Sequence, residues 1–212
     1  MMNLCKMIDT AVAIANDNSQ GYSQLSRGGN PDFDCSSLTA HCLRAGGCDV
    51  NAGSTTRNLY SQLTKRGWKK VSGKCKAGDI YLTPGKHVVI AVTDYKVVTA
   101  SGDFDGKKGD SSGNEIRVRD FYTPSYGWVY HLRYTGANDS SGASGFTIGK
   151  VYTVQVNGLR VRSYAPNGEV LKKYNAGTRV TCKQLVQING VTWMRTPSGW
   201  IATYGNGKPY VL

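Results

Sequence analysis

The chain has 212 residues, of which 40% are hydrophobic, and carries a formal net charge of +12. This length can hold one large or two small domains, with enough core to fold without disulfide staples. No signal peptide and no transmembrane helix is predicted, so membrane insertion is not expected.

The six cysteines, at positions 5, 35, 42, 48, 75 and 182, lack the regular spacing of a disulfide framework. We expect synthesis in a reducing compartment, since an odd number remains to be paired if Cys35 is a free thiolate. The group Cys35, His41, Cys42 and Cys48 lacks the paired spacing of zinc ligands. Neither a metal nor another cofactor is predicted.

Three helices are predicted in the first part of the chain, at Leu4 to Asn16, residues 35 to 45, and Thr56 to Arg66. In the second helix, apolar residues recur with helical spacing from Cys35 onward, and Gly46-Gly47 follows. Asp34 is expected to be its N-cap. An antiparallel sheet from about Asp79 to Tyr134 is expected to pack against these helices.

Cys35 is the candidate nucleophile. A cysteine in the first turn lies at the positive end of the helix dipole, which favours the thiolate, the nucleophilic form. The alternative is a small buried residue without a chemical role. A nucleophile of this type also needs a base that is oriented by a third group.

The chain has three histidines, so few residues can be that base. His41 lies on the second predicted helix but on a different face from Cys35, and His131 lies in an alternating strand, which is typical of a surface residue. His87 begins a strongly strand-forming run. A histidine at the start of a core strand can face a cysteine at the start of a helix, so His87 is the predicted general base.

Together these residues resemble the NlpC/p60 cysteine peptidases. The resemblance rests on the order Tyr22, Asp34-Cys35-Ser36, Gly78-Asp79-Ile80 and then His87 before a hydrophobic strand. The phage-lysin branch of the family is the more similar one, because it has segments like residues 14–22 and 109–116. The resemblance covers about residues 8–134 and implies a papain-like core that cleaves peptides of bacterial cell walls.

The family's third catalytic position, usually His, Asn or Gln on the strand after the histidine strand, corresponds to Thr99. Asp103 is expected on the same side of that strand, because side chains alternate. Its carboxylate would stabilise an imidazolium better than the Thr99 hydroxyl, but its position matches the family's third residue less well. Thr99, Asp103 and a dyad without a third residue all remain open.

Two further candidates lie close to the nucleophile in sequence. The family's tyrosine, which can donate its hydroxyl to the developing oxyanion, corresponds to Tyr22. The alternative for Tyr22 is packing against the core. Ser36 is a candidate for substrate binding, or simply a small residue that is tolerated beside a crowded nucleophile.

A second domain is predicted after a flexible Gly- and Ser-rich linker at residues 135–145. Residues 146–212 contain short strands separated by turn residues, which predicts a small all-β barrel. Segments such as Leu159–Ser163 and Gly199-Trp200-Ile201 resemble the bacterial SH3-like domains, which hold hydrolases on the cell wall. Trp193, Trp200 and Tyr204 are therefore candidates for substrate binding.

Positive charge is concentrated in this second part. Residues 1–134 contain 17 Lys or Arg and 12 Asp or Glu, a net charge of +5, whereas residues 135–212 contain 9 and 2, a net charge of +7. A basic surface concentrates a protein on polyanions, and both teichoic acids and nucleic acids qualify. The alternative is a charge that only aids solubility.

The sequence thus predicts an α+β protein: a papain-like NlpC catalytic domain in residues 1–134, the linker, and an SH3-like wall-binding barrel in residues 146–212. The predicted function is peptidoglycan hydrolysis through a thioester on Cys35 with His87 as base. The scissile bond is expected to be γ-D-glutamyl to diamino acid, with the N-acetylmuramoyl-L-alanine amide as the alternative.

The alternatives of another class are a catalytically inactive wall-binding protein and a nucleic-acid-binding protein. The predicted partners are peptidoglycan and anionic wall polymers, with nucleic acid not expected. We expect a monomer that is made in the cytoplasm without a signal peptide and acts at the cell wall, after holin-type release if it is a phage lysin.

Overall fold

The computed structural model of the chain describes residues 2–136, 146–166, 168–188 and 191–212. The chain divides into two compact units, Met1–Asp139 and Ser140–Leu212. Most of the predicted linker, residues 137–145, lies outside the described residues, as does the Asn-Gly turn at 189–190.

The first unit contains three helices and a six-stranded antiparallel sheet. The helices are α1 (Leu4–Ala15), α2 (Cys35–Ala45) and α3 (Leu59–Thr64). The strands are β1 (Trp68–Lys70), β2 (Ile80–Thr83), β3 (His87–Ala91), β4 (Lys96–Ala100), β5 (Ile116–Asp120) and β6 (Tyr130–Tyr134). Their order in the sheet is β1-β6-β2-β3-β4-β5.

A capping box fixes the start of α2. The backbone N–H of Ser37 donates to Asp34 Oδ1 at 2.6 Å, and the backbone N–H of Asp34 donates to Ser37 Oγ at 2.9 Å. These two bonds satisfy amide groups that have no partner within the helix. The predicted N-cap is confirmed, and Cys35 is held as the first helical residue.

Strand β3 lies in the middle of the unit, and all five of its residues are buried. Helices α1 and α2 pack against β3 and β4. A second cluster, which includes Tyr81, Val89 and Val97, is covered by half-buried Phe121, Tyr122 and Trp128. Because both faces are covered, the run of hydrophobic residues after His87 is continuous rather than alternating.

Among its described residues, the second unit has strands but no helices. They are β7 (Val151–Thr153), β8 (Leu159–Arg162), β9 (Val170–Tyr174), β10 (Arg179–Thr181), β11 (Gln184–Ile188), β12 (Val191–Thr196), β13 (Gly199–Ala202), β14 (Tyr204–Gly205) and β15 (Lys208–Pro209). Five of them form a sheet in the order β11-β12-β13-β8-β9, while β7 pairs with β10 and β14 pairs with β15. Val161, Met194 and Ile201 are fully buried in its core.

The predicted fold class is wrong. The structure is mostly β-sheet, its three short helices make up 14% of the chain, and it shows no clear papain-like helical arrangement followed by an SH3-like barrel. Helix α3 is shorter than predicted, because the Asn58 side chain accepts a hydrogen bond from the Thr55 backbone and the preceding residues form a turn.

In the second unit the described strands do not form one closed barrel, because β7 and β10 pair with each other and the five-stranded sheet keeps two edges. Within the part of the chain that the structure describes, no helix has both the length and the apolar composition needed to cross a bilayer.

Candidate active site

Cys35, the first residue of α2, is 8% exposed. Its sulphur faces the backbone N–H of Val88 in β3, the residue directly after His87. The start of α2 therefore lies against the start of β3. This is the neighbourhood that a cysteine nucleophile and a histidine base require.

Burial controls the protonation of the thiol. It raises the pKa of Cys35 to about 11, and the Asp34 carboxylate raises this pKa further, whereas the backbone N–H groups of Val88 and Ser36 lower it. The predicted stabilisation of the thiolate by the helix N-terminus is thus outweighed by desolvation. At neutral pH the resting group is a thiol.

His87 begins β3 and is 9% exposed. Its Nε2 lies 2.9 Å from Thr99 Oγ1, and its ring stacks on Trp128 with a centroid distance of 6.0 Å. Burial lowers the pKa of His87 to about 4, so the imidazole is neutral at pH 7. When Nε2 carries its proton and donates to Thr99, Nδ1 is the nitrogen that can accept a proton from a thiol.

The pairing of β3 with β4 brings Thr99 to the histidine. Ile90 lies opposite Val98, and side chains alternate along each strand, so His87 and Thr99 lie on the same face of the sheet. Thr99 is fully buried, and its Oγ1 lies 3.0 Å from Ser101 Oγ. A chain of two hydroxyl groups therefore leads from the imidazole to an exposed serine.

Asp103, the other candidate for the third position, is exposed in the loop after β4. Its Oδ1 accepts hydrogen bonds from the backbone N–H groups of Asp105 and Gly106. Among the described residues, the hydrogen-bond partner of the His87 ring is thus Thr99 and not Asp103. Ser101, which contacts the Thr99 hydroxyl, was not predicted as a site residue from the sequence.

Replacing Thr99 with valine keeps the shape of the side chain and removes the hydroxyl group. We expect kcat to fall about tenfold, because the imidazole then loses the hydrogen bond that holds its ring in place. Thr99→Ser should recover most of the activity, and Ser101→Ala should change kcat less than about threefold. Unchanged kcat in Thr99→Val, measured as initial rates on purified cell walls, would show that His87 needs no third residue.

Tyr22 lies on the segment before α2, where it forms a bridge with Phe33. Its hydroxyl accepts a hydrogen bond from Gln24 Nε2 at 3.0 Å. Burial raises the pKa of Tyr22, the hydrogen bond from Gln24 lowers it, and a negative charge on Cys35 or Asp34 raises it. The phenol is therefore protonated and within electrostatic reach of the nucleophile, so it can donate to a developing oxyanion.

Ser36 has structural partners. It is 3% exposed, and its Oγ donates to Asp34 Oδ1 at 2.9 Å and accepts from Arg27 Nη2 at 3.3 Å. Arg27 also forms an ion pair with Asp34 at 3.2 Å and donates to the backbone carbonyl of Ser54. Arg27 thus supports the start of α2, and the sequence around it offered no signal for this role.

The other two histidines have different surroundings. His41 is exposed on α2 and contacts Phe33 edge-to-face at 5.3 Å. His131 Nε2 lies 2.7 Å from Asp79 Oδ2, and the same buried carboxylate oxygen accepts a hydrogen bond from Arg133 Nη2 at 2.6 Å. These contacts place His41 at the surface and His131 in an ion-pair network.

The three aromatic candidates of the second unit differ in exposure. Trp200 is 2% exposed, which leaves almost none of its surface for a ligand, whereas Trp193 is half-buried and Tyr204 is 51% exposed. Of the three, only Trp193 lines the cleft in this unit, which has a volume of about 450 Å³. Tyr210 also lines this cleft and was not among the candidates predicted from the sequence.

One group of side chains could bring ligand atoms together around a cation. Oxygen atoms of Asp103, Asp105 and Glu115 lie within 4.8 Å of one another. However, the two carboxylate oxygens of buried Glu115 already accept hydrogen bonds from the backbone N–H groups of Tyr22 and Phe104. We therefore assign no metal to this group.

Comparison with protein families gives a match between residues 10–98 and the endolysin-like domain. The match includes both Cys35 and His87. It supports an endolysin-like enzyme of the bacterial cell wall. It ends before Thr99 and does not extend into the second unit.

Comparison with curated proteins returns no match. Among solved structures, the crystal structure of Ly7917 with the hydrolysing product of MDP is similar with a TM-score of 0.38 and 20% sequence identity. This alignment covers 99% of the present chain and 97% of Ly7917. A similarity this low supports no statement about the fold or the ligand of the present protein.

Proposed function

We propose that the first unit hydrolyses a stem-peptide bond of bacterial peptidoglycan with Cys35 as nucleophile. The observation that carries this proposal is the contact of the Cys35 sulphur with the start of β3, where the neutral His87 ring is held by Thr99. The endolysin-like match over the same residues supports the cell wall as the substrate. The order of Tyr22, Cys35 and His87 is also that of the NlpC/p60 peptidases.

The protonation states define the first chemical step. Because Cys35 is a thiol and His87 is neutral at pH 7, the thiol proton moves to His87 Nδ1 as the sulphur attacks the substrate carbonyl. The backbone N–H of Cys35 and the Tyr22 hydroxyl donate to the oxyanion that forms. Because both groups are buried and neutral, no thiolate–imidazolium pair exists before the substrate binds, and the proton is transferred during the attack.

Collapse of the tetrahedral intermediate breaks the amide bond. The imidazolium of His87 donates its proton to the leaving amine, which departs and leaves an acyl thioester on Cys35. A water molecule then attacks the thioester while His87 accepts a proton from it. The carboxylic acid product is released as the proton returns to the Cys35 sulphur.

The products identify the bond. We expect mass spectrometry of digested sacculi to detect peptides that begin at the diamino acid, with L-Ala-D-Glu retained on the glycan, as for γ-D-glutamyl cleavage. Release of whole stem peptides that begin with L-Ala would indicate the amidase alternative. New reducing ends on the glycan, without either peptide product, would contradict a cysteine mechanism, and a digest with Cys35→Ala serves as the blank.

We also propose that the enzyme acts at the cell wall and that the second unit retains it there. The strong positive charge of that unit and the partly exposed aromatic residue in its cleft support this division of labour. The catalytically inactive alternative is separated by the same digest, because a protein that only binds walls releases no fragments.

A further inference from the structure

The outer face of the five-stranded sheet in the second unit is basic and aromatic. Val161 and Ile201 point into the core, so their neighbours along β8 and β13 point outward. The register places Arg162 opposite Trp200, and Trp193 opposite Ala202. Directly paired residues share a face of a sheet, so Arg162, Trp193 and Ala202 lie on the face away from the core, whereas Trp200 on the same face is itself covered.

A cleft of about 450 Å³ lies on this surface. Arg160 and Arg162, two residues apart on β8, line this cleft, and so do Lys208 and Tyr210. Trp193 contributes a half-buried indole ring. Among the described residues, no Asp or Glu lines the cleft.

The charge of the unit around this cleft is one-sided. Residues 140–212 contain nine Lys or Arg and a single acidic residue, Glu169, a net charge of +8. Glu169 is not among the residues that line the cleft. The cleft therefore offers an anion several cations without a competing carboxylate.

We propose that this cleft binds an anionic polymer of the cell wall whose repeating units are polyol phosphates. Guanidinium groups bind phosphate through two parallel N–H donors, and the exposed Arg160 and the half-buried Arg162 are spaced along a strand as an extended chain requires. Trp193 and Tyr210 present apolar ring surfaces to the carbon atoms between phosphates. The site lies outside the proposed hydrolase unit and binds without cleavage.

The first unit of the same chain favours a wall polymer over nucleic acid as the ligand of this cleft. The same chain carries the endolysin-like match, which supports a cell-wall setting. Both ligands would be bound through phosphate contacts and would be sensitive to salt. A binding experiment that separates the sources of phosphate therefore decides between them.

The test measures binding of the full chain, with Cys35→Ala to block digestion, to purified Gram-positive walls by co-sedimentation. The charge reversals Arg160→Glu and Lys208→Glu are combined in one variant. Arg162 is retained, because its Nη1 donates to the Gly168 carbonyl at 2.9 Å and supports the neighbouring loop. We expect this variant to bind intact walls about thirtyfold more weakly, with a shallower dependence on salt.

The matched control is Lys150→Glu with Lys183→Glu, which changes the net charge equally at two exposed lysines outside the cleft. Its affinity should fall less than about threefold. Hydrofluoric acid strips phosphodiester-linked polymers from the walls. The chain without charge reversals should bind these stripped walls about as weakly as the variant Arg160→Glu with Lys208→Glu binds intact walls. Circular dichroism checks that each variant is folded. If the charge-reversal variant is unfolded, the neutral variant Arg160→Gln with Lys208→Gln takes its place.

Three results would overturn the inference. An equal loss in the control variant would show diffuse attraction, and full affinity for stripped walls would identify peptidoglycan as the ligand. Tighter binding of a DNA duplex than of intact walls at the same salt concentration would identify nucleic acid. Stripped walls retain peptidoglycan, so fragment release from them by the active chain tests the proposed hydrolase separately.

Discussion

Replacing Cys35 with alanine is expected to lower fragment release from purified sacculi by at least about a thousandfold, because the group proposed to form the thioester is then missing. The change removes one sulphur atom from a side chain that is 8% exposed. The capping box of Asp34 and Ser37 does not involve the sulphur and should keep α2 in place. The measurement is the rate of release of soluble peptide, followed by mass spectrometry.

Cys42→Ala is the matched control, because Cys42 lies on the same helix and is fully buried. Loss of its sulphur should cost about 1 kcal/mol of unfolding free energy. The rate of release should remain within about twofold of the unmodified protein, since Cys42 has no role in the proposed steps. Retained release in Cys35→Ala, with normal thermal unfolding, would remove Cys35 from the mechanism.

His87→Ala should lower the rate of release by about a thousandfold or more, because the base proposed to accept the thiol proton is then missing. The effect should appear in kcat rather than in KM, since the ring is not needed to bind the substrate. His41→Ala is the control, because His41 is exposed on α2 and should leave the rate within about twofold. A loss of only tenfold in His87→Ala would mean that the base lies elsewhere.

The pH dependence of the unmodified protein tests the same group. Only the neutral imidazole can accept a proton, so the rate should fall as the pH drops through the pKa of His87, at about 4. Above that pH the rate should be nearly flat through the neutral range, because the thiol form of Cys35 persists to about pH 11. An acid limb near the ordinary histidine pKa of about 6.5 would show that His87 is solvated during the reaction.

Local signals in the sequence were sufficient to locate α1, α2 and the first residue of β3. Asp34 and Ser37 form their capping box within four residues, and the run from His87 to Val92 favours a strand whatever surrounds it. Cys35 and His87 were predicted because each lies where such an element begins. The interaction of the Cys35 sulphur with the backbone N–H of Val88, the residue after His87, needed only that the two elements pack together.

Features that depend on which strands pair in the sheets could not be predicted from local sequence signals. Thr99 and Asp103 could not be separated until the pairing of β3 with β4 was known, because this register decides which side chain reaches the ring. The fold class was wrong for a similar reason. The pairing of β7 with β10, across 25 residues of chain between Thr153 and Arg179, leaves no local mark in the sequence.

The state of the thiol was also beyond the sequence. The position of Cys35 at a helix start favours a thiolate, but the layers that cover β3 and α2 remove the water that a thiolate would need. The free energy of desolvation is a property of the whole packed unit. It therefore outweighed the local effect on which the sequence prediction rested.

A buried, protonated Cys35 has a consequence for survival in oxidising surroundings. Peroxides and disulfides react with thiolates, so a thiol that ionises only at about pH 11 is converted slowly to sulfenic acid or to mixed disulfides. The four other described cysteines, Cys42, Cys48, Cys75 and Cys182, are free and buried as well. Under the proposed mechanism, Cys35 therefore rests in a form that oxidants attack slowly, and it loses its proton only during attack on a substrate carbonyl.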